Sequence, residues 1–207
     1  MATVAGYIDV EAPVGTDELR RIQRMNNNAL IIRLHFTINH LSRWLSPIHD
    51  RNRLERSLHF GEPTVKELLI GMREEEHRIF PMMHMITVEN DPDLDRLPPY
   101  EPPDDRPEID ARRAPIEILA QFRRLRQSTC SLLRSMPDDA WRRVGTSRRG
   151  YNASLRSLAE ELAEHDYRYL RAIDQALDRT GAREGLAEIQ KTHLDELLRL
   201  VPEEIIL

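Results

Sequence analysis

The stretch LAEELAEHDYRYLRAID, residues 158–174, decides the fold. Leu158, Leu162, His165, Tyr169 and Ala172 recur at alternating spacings of about four and three, which keeps them on one face of an α-helix. That face is apolar except at His165 and Tyr169. A polar group where an apolar one belongs is the informative observation.

Working outward, Leu155 begins the same stripe, Ala176 extends it, and Gly181 is a stop signal. Upstream, Val65, Leu69, Met72, Glu76, Ile79, Met83 and Ile86 repeat the pattern. Thr64 and Glu67 form a capping box at its start. Pro81 lies inside this helix and predicts a kink. A third stripe is Ile118, Phe122, Leu125, Thr129, Leu132 and Met136, closed by Pro137. The first helix is expected over residues 17–46, capped by Thr16 and striped by Leu30, Leu34, Ile38, Leu41 and Leu45, with Asn26, Asn27 and Asn28 loosening its early turns. A last helix is expected over 183–200 through Leu186, Ile189, His193, Leu197 and Leu200.

The reading is therefore all-α: a four-helix bundle with long crossover loops plus an extra C-terminal helix. Residues 1–16 form an extended arm, 17–180 the bundle, and 181–207 a C-terminal helix and tail packed on it. Nothing reads as a sheet. Residues 89–110, with Pro92, Pro98, Pro99, Pro102, Pro103 and Pro107 among acids, form a long irregular connection of the kind used as a lid or binding loop.

At 207 residues and 40% hydrophobic, the chain can bury a full core. A net charge of −5 argues against a nucleic-acid partner, which would want a basic stripe. Cys130 is the single cysteine, so no disulfide forms within the chain. No run approaches the ~20 apolar residues of a membrane span. The N-terminus has no basic start followed by an apolar run. A cytoplasmic protein is the expectation, with neither membrane nor nucleic acid as partner.

Glu76 and His165 fall on core stripes of different helices; if those helices face each other the two turn toward a shared interior, and the sequence leaves their contact open. A buried carboxylate needs a partner, and an imidazole or a metal ion would serve. A buried Glu–His–Tyr set can equally exist to fix helix register. Gly71, one turn or so from Glu76, is expected to leave space beside Glu76, His165 and Tyr169, as a ligand pocket requires. Glu74 and His77 show the Glu-x-x-His spacing of di-iron bundles, but no second such motif accompanies them.

The segments VKELLIGMREEEHRIF, residues 65–80, and PDDAWRRVGTSRRGYNASLRSLAEELAEHDYRYLRAI, residues 137–173, resemble the DinB/YfiT-like superfamily. The order and spacing of these motifs over roughly residues 17–180 carry the resemblance. It implies a four-helix bundle with long crossovers, often dimeric, and three histidines that bind a divalent metal such as zinc or nickel. Those histidines fall on Gly71, His165 and Tyr169, so two are replaced; the acidic positions Glu74 and Glu76 are kept. The expectation is no cofactor and no metal, in a protein that binds a small molecule or has a structural core. The alternative is a metal- or thiol-dependent transferase or hydrolase, with His165 and Glu76 as ligands, or with His165 as general base, Glu76 orienting it and Tyr169 donating. A third expectation is a homodimer built through the last helix and the tail Ile205, Ile206 and Leu207.

Overall fold

The computed structural model describes residues 8–148, 150 and 152–202. Its helices are α1 (Thr16–Arg24), α2 (Asn27–Leu45), α3 (Val65–Val88), α4 (Arg106–Arg112), α5 (Pro115–Arg134), α6 (Leu155–Arg179) and α7 (Leu194–Arg199). The long helices α2, α3, α5 and α6 make the bundle; α2 and α3 each pack against both α5 and α6. The tail residues Ile205, Ile206 and Leu207 lie outside the described residues.

Three expectations about the helices need correction. The single helix over 17–46 is two helices. Asn26 sits in extended backbone and its side chain accepts from the Ala29 N–H at 2.8 Å. The asparagine thus ends one helix and caps the next instead of loosening one continuous turn. Thr16 is the first helical residue and not the cap; Gly15 holds that position without a side-chain bond. The helix over 183–200 shrinks to α7. Gly181 and Gly185, at φ of 64° and 79°, turn the chain back on itself, and Arg183 is anchored on Asp174 and Asp178. Ile189 and Leu200, expected on its apolar face, are exposed. The segment still packs on the bundle: the Trp44 indole N–H donates to the Thr192 carbonyl at 2.7 Å, and Leu194, Leu197 and Leu198 are buried in the same cluster as Trp44.

The capping box at Thr64 and Glu67 is present, with the Thr64 N–H donating to Glu67 at 2.7 Å and the Glu67 N–H to Thr64 at 3.2 Å. Helix α3 then continues through Pro81 to Val88. A two-residue hairpin, β1 (Val144–Gly145) with β2 (Ala153–Ser154), lies between α5 and α6 where no strand was expected. The Leu94 N–H donates to the Thr146 carbonyl at 2.8 Å and the Thr146 N–H to Pro92 at 2.9 Å, so this hairpin tethers the proline-rich connection.

The core is two apolar clusters. One gathers Ile38, Leu41 and Trp44 of α2, Leu68, Leu69 and Met72 of α3, Ile118 and Phe122 of α5, and Leu170 and Ile173 of α6. The other gathers Leu30 and Leu34, Ile79 and Met83, Cys130 and Leu133, and Leu158 and Leu162 of the same four helices. Between them, every one of the four contributes polar residues: Thr37, Glu76, Arg126 with Thr129, and Asp166.

Candidate functional site

Glu76 is fully buried and spans two partners of α5. One carboxylate oxygen accepts from Arg126 Nε and the other from the Thr129 hydroxyl at 2.6 Å. The Arg126 guanidinium turns its other edge to Asp166, with Nη2 donating to Oδ1 at 2.8 Å and Nη1 to Oδ2. Nη1 also donates to the Leu34 carbonyl at 3.1 Å, and the Thr37 hydroxyl donates to Asp166 at 2.7 Å. The Phe122 ring lies against the guanidinium, 5.0 Å from its centroid. Burial works against the Arg126 charge, but Asp166 and Glu76 outweigh it and raise its pKa above the ordinary range.

The partners of Glu76 are thus Arg126 and Thr129 and not the His165 imidazole. Glu76 is satisfied by Arg126, a residue the sequence stripe missed by one position: Leu125 is half-buried and Arg126 is buried. Asp166, next to His165, is the other residue missed.

His165 points elsewhere. It is 7% exposed and stacks on Tyr169, with ring centroids 4.1 Å apart and 23° between planes. Its Nδ1 is buried without a hydrogen-bond partner. Burial pushes its pKa down to about 4; Glu75 is the carboxylate that most opposes this. Glu75 in turn accepts from Arg78 Nε at 2.7 Å, and Arg78 also holds Glu161. Tyr169 is half-buried, and burial raises its phenol. The space expected at Gly71 is filled by this ring. A Cβ placed on Gly71 would stand 2.5 Å from Tyr169 Cε1 and 2.7 Å from its hydroxyl oxygen. Glycine at 71 is what lets the tyrosine lie against α3.

Position by position, the family's metal set therefore becomes no side chain, one imidazole and one phenol ring packed on the bare backbone. That set does not fit a divalent ion, whose catalytic zinc form uses three protein ligands around an open position. Among the described residues, the group of three or more metal-capable donors with ligand atoms within 4.8 Å of one another is Asp174, Asp178 and His193, near the end of α6. There Arg183 already bonds both carboxylates at 2.5 Å.

Glu74 faces away from the interior. It accepts from Arg73 Nε at 2.7 Å and from the Tyr100 hydroxyl. Arg73, fully buried, also donates to Asp110 at 2.8 Å and Gln121 at 2.7 Å. Tyr100 stacks on His77 with centroids 5.6 Å apart and 11° between planes. These contacts pin the proline-rich connection to α3 and enclose a cleft of about 710 Å³ whose walls include His77, Pro81, Met82, Leu97, Pro98 and Tyr100. The sequence flagged the connection as a binding loop but not His77 as its seat. No helix among the described residues is long and apolar enough to cross a membrane.

No family model matches this chain, and no curated protein matches it in sequence. Among solved structures, YfiT from Bacillus subtilis, described as a probable metal-dependent hydrolase with an unusual four-helix bundle topology, matches with a TM-score of 0.60. The match covers 86% of this chain and 95% of that one at 15% sequence identity. At that identity the likeness shows the fold, a DinB/YfiT-like four-helix bundle.

Proposed function

We propose that this chain is a metal-independent small-molecule-binding bundle of the DinB/YfiT type, not a metal-dependent hydrolase. The observation that carries this is the Tyr169 ring packed where a side chain at 71 would stand. It removes two of three donors and fills the volume they would share. The His165 imidazole is stacked on that ring and keeps its Nδ1 buried without a hydrogen bond. The polar layer beneath it acts as structure: each carboxylate and the guanidinium is hydrogen-bonded within the bundle. What remains open is the cleft between α3 and the proline-rich connection, of a size suited to a small ligand.

The test is elemental analysis of protein purified without an affinity metal column, followed by titration with zinc and nickel. The wild type is expected to hold far less than one equivalent. The double variant Gly71→His/Tyr169→His is expected to gain about one. Stoichiometric metal in the wild type that His165→Ala releases would overturn the reading.

A further inference from the structure

We propose that the cleft under the proline-rich connection takes an organic cation: an amine carried on a compact apolar body. This rests on the small-molecule-binding reading above and names its ligand class. The walls supply the apolar part. Pro81 and Met82 of α3 face Leu97, Pro98 and Pro99 of the connection across a volume of about 710 Å³. Burying such a body there is favourable at roughly 25 cal/mol per Å² of apolar surface removed from water.

The carboxylates at the cleft are acceptors, and they select the charge. Glu101 lines the cleft, is exposed, and has no hydrogen bond or ion pair among the described residues. Asp95 lines it too, held in place by the Ser147 hydroxyl at 2.6 Å and the Arg148 N–H at 2.8 Å. Among the described residues the basic one in the lining is Arg78, which is already held by Glu75 at 2.7 Å and by Glu161. Burial lowers the His77 pKa and so disfavours its charged form. An anion would therefore meet carboxylates and an occupied guanidinium.

Two further features favour an ammonium group. Pro81 has no N–H, so the His77 carbonyl on the same stretch of α3 loses its usual i+4 donor. The Tyr100 ring, fixed by its bond to Glu74 and its stack on His77, offers a π-face at the cleft wall. Aromatic faces beside carboxylates are the chemistry that recognises organic cations.

The experiment is calorimetric titration of the full chain in EDTA with three matched probes: phenethylamine, phenethyl alcohol and phenylacetate. The amine is expected to bind at one per chain and the acid not at all. Met82→Trp, which fills the cleft, should abolish amine binding. Glu101→Gln, at an exposed position that leaves folding untouched, should weaken it about fivefold. Acid binding as tight as the amine, no amine binding, or amine binding indifferent to both variants overturns the proposal. The alcohol binding as tightly as the amine overturns the cation class and leaves the small-molecule reading standing. Amine binding that appears only when zinc replaces EDTA overturns the metal-independent reading instead.

Discussion

The contact between Gly71 and Tyr169 can be tested by a change that should reverse sign with its background. In an ordinary helix interior, Gly→Ala stabilises by about 0.5–1 kcal/mol through backbone entropy and helix propensity. At Gly71 the added Cβ would lie 2.5 Å from Tyr169 Cε1 and 2.9 Å from Cζ, so the ring must move. Moving it gives up its stack on His165, worth about 0.5–1.5 kcal/mol, and overpacking of this kind costs about 1–3 kcal/mol in all. Gly71→Ala in the wild type should therefore be neutral to destabilising by about 2 kcal/mol. In a Tyr169→Ala background the obstacle is gone, and the same substitution should stabilise by about 0.5–1 kcal/mol. The coupling between the two sites is then about 1–3 kcal/mol. For a chain of this length each kcal/mol moves the melting temperature by about 2–4 °C, well within reach of calorimetry and urea titration on the four proteins of the cycle. Additive behaviour, with Gly71→Ala raising stability equally in both backgrounds, would refute the packing and the metal argument built on it.

Three other outcomes follow from the interior. Arg126→Met leaves Glu76 and Asp166 buried without their cation and should cost about 3–5 kcal/mol in urea unfolding; a loss under 1 kcal/mol would mean the layer is hydrated. His165 titrates near 4 when folded and near 6.5 when unfolded, so the unfolded state binds the extra proton between those values and stability falls as pH drops through that window. His165→Phe should flatten this part of the pH profile by at most about 3 kcal/mol, with His40, also lowered to about 4 by burial, keeping the remainder; an unchanged profile would count against the buried neutral imidazole. The Cys130 thiol, pushed up to about 11 by burial, should react with a disulfide reagent at pH 8 no faster than the protein unfolds, and prompt labelling of native protein would contradict its place in the core.

The helices of the bundle were legible because their stripes are regular and their caps are local. The box at Thr64 needs Glu67 three residues away and nothing else. Glu76, His165 and Tyr169 stood out as polar residues on apolar stripes; Glu76 and His165 are buried and Tyr169 is half-buried. Their partners were not legible. An arginine beside a leucine stripe reads as surface, because a long cation usually reaches solvent; only the carboxylates of α3 and α6 make Arg126 a core residue. Gly71 and Tyr169 are nearly a hundred positions apart, and nothing local says that one is the socket of the other. The break at Asn26 had its signal in the asparagine run, whose capping capacity outweighed the apolar stripe running past it.

The polar layer also explains how the four helices are held in one register. Aromatics are only 5% of the chain, and two largely aliphatic clusters alone would tolerate sliding of one helix past another. A shift of one turn, about 5.4 Å, would strip Glu76 or Asp166 of its hydrogen bonds and leave a charge buried alone. The layer therefore fixes the register of all four helices at once. His165 is the residue immediately before Asp166, so rotating α6 to bring the imidazole into solvent would also withdraw Asp166 from Arg126 and Thr37. The imidazole is locked by its neighbour's role. The outer face of α3 around His77 and Pro81 carries no part of that layer, and the proline-rich connection above it is tied to the bundle separately, by Asp110 on buried Arg73 and by Tyr100 on Glu74.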